Sequence, residues 1–280
     1  LTSPRLQTSG LLHYGVGVSY RQVTVGVMVA CCLSAGTVGV AASADGRLRH
    51  GIAVLERGMK QWSYSDLTNA VARFDAVCGN EPESYAAHYW KGVALLHAVL
   101  HRLGREVRDD DALGALIQEA ISTVTRAMEL SEDHPEEHAM LGTLYGLQIA
   151  RSPGTAIWRG PKILHHQKRA LEGGPENPRV RYLLGVSRLK APGLLGGVED
   201  ALEHLLEAHR LFEAERRRET GTLDPAWGYD DCLAFTGEAY RTLGKEKKAV
   251  TWYRKALELN AGHKLAREGL TQCRKTNPNK

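Results

Sequence analysis

Twelve histidines occur among the 280 residues, and their spacing is the first invitation to a chemical reading. His97 and His101 stand four apart in an apolar run, a spacing that puts two imidazoles on one helix face and can chelate Zn²⁺ or Cu²⁺. His134 and His138 repeat it, and His165-His166 adds an adjacent pair. A transition-metal site asks for three or four donors. No carboxylate or further histidine completes any of these sets locally, and this many histidines generate such pairs by chance. The expectation is therefore no metal and no cofactor.

Asp109-Asp110-Asp111 could hold a hard cation, but Ala112-Leu113 opens an apolar periodic run directly after it. Carboxylates at that place satisfy free backbone N–H groups and favour the positive end of a helix, so capping is the reading adopted. Arg216-Arg217-Arg218 is flanked by Glu213, Glu215 and Glu219, which describes a solvated helix end better than a phosphate site. Gly244-Lys245 is followed by Glu246, and the upstream glycine spacing of a P-loop is missing. HExxH, GxSxG and dinucleotide fingerprints in a strand-to-helix setting are absent too. No catalytic residue is nominated, and the chain is expected not to be an enzyme.

Charge and cysteine usage narrow the partners. Arg5 and Arg21 precede an uncharged segment, leaving 34 basic and 32 acidic residues over 45–280. That balance gives no electrostatic case for nucleic acid or an anionic membrane as the main partner. Cys31 and Cys32 sit in the uncharged segment, and Cys78, Cys232 and Cys273 are scattered without a CxxC or CxxxC spacing.

The elements that would position these residues show themselves as a repeat. From Gly58, Ala70 follows after 12 residues, Phe74 after 16 and Pro82 after 24; from Gly237, Tyr240 follows after 3, Ala249 after 12, Tyr253 after 16 and Ala256 after 19. Self-similarity at such a period marks stacked supersecondary units. Gly58 to Gly92 spans 34 residues, whereas the intervals to Gly142, Gly185 and Gly237 span 50, 43 and 52. The excess residues fall around Asp109–Asp111, in Ser152–Pro161, and in Ala191–Gly197 together with Glu213–Pro225. Trp158, inside the second insertion, covers an exposed edge or serves as a contact residue.

Leu233, Gly237, Tyr240, Gly244, Ala249, Tyr253 and Ala256 resemble the tetratricopeptide repeat family. The family's Trp is Leu233 here and its closing Pro is Ala261, and the first unit has Gln61 where Tyr is usual. The middle units keep Gly142, Tyr145, Gly185, Ala201 and Ala208. The loop Ala191–Gly197 is similar to one in exported bacterial repeat proteins. The resemblance covers about residues 51–263. It implies an all-α, right-handed superhelical stack of antiparallel helix hairpins, a TPR-like α-solenoid, with units at about 51–84, 85–134, 135–177, 178–224 and 229–262. His263–Lys275, with Leu265 and Leu270 on one side, is the capping helix that such an array requires.

In that family the first helix of each hairpin lines a concave groove. By register this implies Tyr89, Val93, Leu96 and His97 from the second unit, and Glu136, Thr143 and Leu147 from the third. The fourth supplies Arg179, Tyr182, Val186 and Lys190, and the fifth Asp231, Glu238 and Arg241. Aromatic and apolar anchors beside both charge signs suit an extended peptide. Some of these residues would instead pack against the next unit.

Residues 1–44 read as an address. Arg21 precedes an apolar stretch from Val23 to Val40, and Ala42-Ser43-Ala44 follows, as in a secretory signal cleaved after Ala44. An uncleaved anchor, or a lipoprotein signal at Cys31, competes with that reading. Each alternative puts residues 45–280, a single helical repeat domain, outside the cytoplasm, in the periplasm or cell envelope. The expected function is a non-catalytic protein- or peptide-binding scaffold; the alternative is an exported small-molecule or metal-binding protein that uses the groove and inserted loops. Membrane contact is expected only through an uncleaved N-terminal segment.

Overall fold

A computed structural model describes residues 43–103, 110–132, 135–190, 197–218, 221 and 223–276. Residues 1–42 of the address segment, Asp109, His134 and the loop 191–196 lie outside the described residues. Among the described residues five helix hairpins follow one another: Ala44–Gln61 (α1) with Tyr64–Asn80 (α2), Tyr85–Leu103 (α3) with Asp110–Glu129 (α4), Pro135–Arg151 (α5) with Ala156–Gly173 (α6), Pro178–Lys190 (α7) with Val198–Glu215 (α8), and Tyr229–Thr242 (α9) with Glu246–Leu259 (α10). Lys264–Thr276 (α11) ends the array. Among the described residues there is no strand, and the architecture is an α-solenoid.

Short polar caps mark the helix starts. The Ser43 hydroxyl accepts the Gly46 N–H at 3.2 Å, and the Ser63 hydroxyl accepts that of Asp66 at 3.3 Å. Pro135 and Pro178 stand at first helical positions, where the missing N–H costs nothing. The first turn closes with Trp62 at φ +52°, a left-handed conformation usually left to glycine. His101 holds it there: its Nε2 lies 3.0 Å from the Trp62 carbonyl oxygen, and its ring packs on the indole at 5.0 Å.

The repeated glycines sit where first and second helices touch. A Cβ on Gly92 would lie 2.8 Å from Val124, and one on Gly185 2.7 Å from Leu205. In the last hairpin the ring of Tyr253 fills the gap, 2.7 Å from a Cβ on Gly237 and 2.2 Å from one on Gly269 of α11. The first hairpin differs: Gly58 faces Leu67 beside the turn, and Gly51 meets Phe74. The small residues Ala70, Ala249 and Ala256 are fully buried, as close helix approach requires.

The two ends of the array meet. A Cβ on Gly262 would lie 2.7 Å from the Lys60 carbonyl oxygen, and the Lys264 ammonium sits 5.8 Å from the centre of the Trp62 ring. The stack therefore curves until the turn after α10 touches the turn after α1. The inner helices face a narrow interior, which decides what the groove residues can do.

Candidate functional site

All fourteen groove positions lie on the first helices of their hairpins, α3, α5, α7 and α9. Their surroundings divide them. Val93 and Leu96 are fully buried and belong to the hydrophobic core. Tyr89, His97 and Tyr182 pack against an irregular segment of the same chain, Leu223–Gly228, which leads from α8 into α9, while Glu136 and Arg179 are buried against each other and Asp231 pairs with His263.

Trp227 is the anchor of that segment, 3% exposed. Its indole N–H donates to the Tyr89 hydroxyl at 2.9 Å. His97 meets the indole edge-on at 5.7 Å, and Tyr182 does so at 6.4 Å. The Trp90 indole N–H donates in turn to the Leu223 carbonyl at 3.3 Å. Gly228, at φ +95°, turns the chain from Trp227 into α9 beneath the rings of Phe212 and Tyr182.

From Tyr89 a polar chain runs across three hairpins. The Tyr89 hydroxyl donates to Glu136 Oε2 at 2.5 Å. Glu136 Oε1 accepts from Arg179 Nε and from Asn177 Nδ2, each at 2.8 Å. The Arg179 fork then donates twice to Glu215, at 3.0 and 2.6 Å. Burial alone would lower the Arg179 pKa, but the carboxylates of Glu136 and Glu215 outweigh it and hold the guanidinium above its ordinary value. Burial, with Glu136 beside it, pushes the Tyr89 phenol well up. These groups are satisfied by one another, so this half of the inner face is a finished core around a charged triad.

The other half stays accessible. Near the C-terminal ends of α5, α7 and α9, Leu147, Glu238 and Arg241 are half-buried and Lys190 is exposed, while Thr143 and Val186 form a floor, 7% and 8% exposed. Lys190 lies 5.6 Å above the Phe235 ring. Arg241 holds Glu238 in a fork at 2.7 and 3.0 Å, and the Tyr253 hydroxyl donates to the same carboxylate. Burial would raise the Glu238 pKa, but these donors bring it below the usual carboxylate range. Apolar floor, cation and fixed anion lie in one strip.

The histidine pairs separate. His97 turns to Trp227 and His101 to Trp62, so their four-residue spacing serves two different contacts. His138 and His166 do meet, Nδ1 to Nδ1 at 2.8 Å, with His165 ring-to-ring beside them. Among the described residues no group of three or more His, Cys, Asp or Glu is arranged to hold a metal ion. Arg216, Arg217 and Arg218 are exposed at the end of α8, with Arg216 on Glu213. Sequence reasoning missed Trp227 altogether; an aromatic set between Pro225-Ala226 and Gly228 was its one local signal.

Comparison with known proteins speaks to the fold. Residues 55–127, from late α1 to α4, match the family model "Tetratricopeptide repeat". A comparison with curated proteins gives no match. Among solved structures, the HusA haemophore from Porphyromonas gingivalis superposes with a TM-score of 0.58 at 18% identity, covering 73% of this chain and 96% of that one. A thermophilic TPR protein of Thermus thermophilus gives 0.58 at 18% identity over 82% of this chain and 98% of that one. At such identity the likeness concerns the fold alone. The first two hairpins carry the tetratricopeptide repeat match, and the described chain as a whole has a fold like that of solved tetratricopeptide repeat proteins.

Proposed function

We propose that this chain is a non-catalytic scaffold that holds an extended protein or peptide segment along the accessible half of its inner face. The observation that carries this reading is the chain's own Leu223–Gly228. An irregular segment already lies against α3 there, through one buried aromatic anchor and one backbone carbonyl held by an indole donor. The strip formed by Thr143, Leu147, Val186, Lys190, Glu238 and Arg241 offers the same kind of surface on neighbouring turns, with both charge signs to fix direction.

A photo-crosslinking residue at Leu147 or Lys190 of the full chain tests this, with Ser122 on α4 as the outward control. A discrete cross-linked partner from the inner positions and none from Ser122 is expected. Equal yields from all three, or monomer alone, would overturn it.

We infer further that the chain is exported to the cell envelope, from the basic flank, apolar stretch and Ala42-Ser43-Ala44 ending. The mass of the exported protein's N-terminus tests this; Asp45 is the expected first residue. Cleavage there would remove the Ser43 cap and the first residue of α1, a loss of about 1 kcal/mol of helix stability. Residues 1–42 retained in a cytoplasmic fraction would contradict export.

A second reading rests on a cavity of about 380 Å³ between the first, fourth and fifth hairpins. Met59, Phe212, Trp227 and Leu259 give it apolar walls, and Lys60, Arg216 and Arg218 line it beside the carboxylates of Glu56, Glu215 and Asp230. That volume and lining suit a small zwitterionic ligand with an apolar body. Thermal-shift screening of aromatic amino acids tests it: a concentration-dependent rise lost in Arg216→Ala supports the reading, and a flat screen removes it.

A further inference from the structure

The outer face of α6 carries an arrangement that the groove does not use. Ile157 is 74% exposed, Trp158 75% and Leu164 56%; of the five exposed large apolar residues among the described ones, three lie on this helix. They fall on one side. Ile163, Gln167 and Ala170 form the buried stripe, and a 3.6-residue period puts Ile157, Trp158, Pro161 and Leu164 on the opposite half. The stripe begins at the tip of the third hairpin, directly after the 3₁₀ turn Pro153–Thr155, whose Gly154 has open space around it.

Exposed basic residues follow along the same side of α6, Lys162 near the apolar tip and Lys168 and Arg169 further down the helix. Glu172 is the acid beside them, reached by Lys168 and Arg169 only at 3.7 and 3.9 Å. Arg159 donates to the neutral Gln148, and Lys162 lies over the Tyr145 ring at 5.3 Å, so neither is neutralised there by a carboxylate. The patch therefore joins an indole and two aliphatic side chains to a local excess of positive charge.

Size selects the occupant. Three side chains on two turns of helix expose on the order of 400 Å², the size of the largest patch on an ordinary monomer. A standard protein interface takes about 800 Å² from each partner. An apolar tip with an indole at its edge and cations along the same side of the helix matches instead the requirements of a bilayer surface. There the ring sits at headgroup level, the aliphatic groups reach the acyl boundary and the cations meet anionic lipid.

We propose that α6 is a membrane-surface docking element that inserts Ile157, Trp158 and Leu164 into the interfacial layer of an anionic bilayer. This contact is separate from the inner groove and from residues 1–44. It gives the scaffold an orientation, because the third hairpin would point its tip at the lipid.

The five tryptophans, Trp62, Trp90, Trp158, Trp227 and Trp252, make the test specific, since residues 1–44 contain none. The full chain is mixed with phosphatidylcholine vesicles with or without 30% phosphatidylglycerol, and with vesicles carrying brominated acyl chains. Partition into the anionic vesicles is expected, weakened by salt, with part of the tryptophan emission quenched by bromine. Trp158→Phe should still bind but lose that quenching. Ile157→Ser/Trp158→Ser/Leu164→Ser should lower the partition coefficient about tenfold or more, and Lys162→Gln/Lys168→Gln by roughly fivefold for each cation removed. Far-UV circular dichroism checks that the variants remain folded, as substitutions at exposed positions should. Quenching unchanged in Trp158→Phe, triple-variant binding equal to that of the parent, or no preference for anionic vesicles would overturn the proposal. So would a dimer that the triple substitution converts to monomer, since the face would then be a protein interface.

Discussion

The Trp227 indole donates its proton to the Tyr89 hydroxyl at 2.9 Å across 138 residues of chain. Together with the Trp90–Leu223 bond, it ties the segment before the last hairpin to the first helix of the second. Trp227→Ala would remove a large buried side chain, strand the Tyr89 acceptor and leave a void beside His97 and Tyr182. A loss of about 3–5 kcal/mol is expected from urea unfolding. The local helices retain their own hairpin contacts, so far-UV ellipticity should change little. A loss below about 1 kcal/mol would show that the segment merely lies in the interior without holding it.

The triad of Glu136, Arg179 and Glu215 behaves differently according to which member is removed. Arg179→Ala leaves Glu136 buried and uncompensated, and about 3–5 kcal/mol should be lost. Replacing the pair together, as Glu136→Gln/Arg179→Met, takes both charges out of the interior and should recover most of that loss. A double-mutant cycle read by chemical denaturation gives the answer. Additive losses would mean that the two side chains do not sense each other.

Two glycine substitutions should move stability in opposite directions. A Cβ on Gly269 meets the Tyr253 ring at 2.2 Å, already confined by Gly237 from the other side. Gly269→Ala therefore forces α10 and α11 apart, a cost of about 1–3 kcal/mol. Gly146, in the body of α5, has nothing within 4 Å of its would-be Cβ. Gly146→Ala should stabilise by about 0.5–1 kcal/mol through the entropy of the unfolded chain. Melting temperatures of the two variants decide the matter.

These residues also show what a sequence can disclose. Gly237 and Tyr253 are 16 apart on consecutive helices, and a repeating period records contacts of that kind. It therefore exposed the hairpins, the buried alanines and the capping helix. The same register put Tyr89, Glu136 and Arg179 on inner helices, where they lie. It did not say that Tyr89 would be covered, because the cover arrives from Leu223–Gly228, in the stretch where the period is broken. A contact between an irregular segment and a helix 138 residues away leaves no periodic trace. The histidines illustrate the converse: His97 and His101 have chelating spacing, yet their rings diverge towards Trp227 and Trp62. The family model likewise matched the first two hairpins, although the last unit shows the repeat residues most completely.

His263 and His97 set opposing pH dependences around one carboxylate, Asp231. His263 Nε2 lies 3.1 Å from Asp231 Oδ1. Burial would lower the His263 pKa, but Asp231 outweighs it and carries it above the ordinary 6.5. The stability from this shift is complete below pH 6.5 and is lost as pH rises through the raised value. Asp231 itself is held below its ordinary 3.8: burial opposes the charge, and His263 with His97 overcomes it. Its contribution is present above pH 3.8 and is lost as pH falls through the lowered value. His97 runs the other way. Burial lowers its pKa despite Asp231 and Asp230, so its neutral form favours folding above pH 6.5 and that advantage fades as pH falls. Lys264 and Asn260 line the same small cavity. His263→Gln should therefore remove stability at pH 6 and lose little more at pH 9, while His97→Gln should narrow the gap between pH 5 and pH 8. Urea midpoints at pH 5, 6, 8 and 9 measure both slopes. If His263→Gln costs as much at pH 9 as at pH 6, the ring is held there by packing rather than by its charge on Asp231.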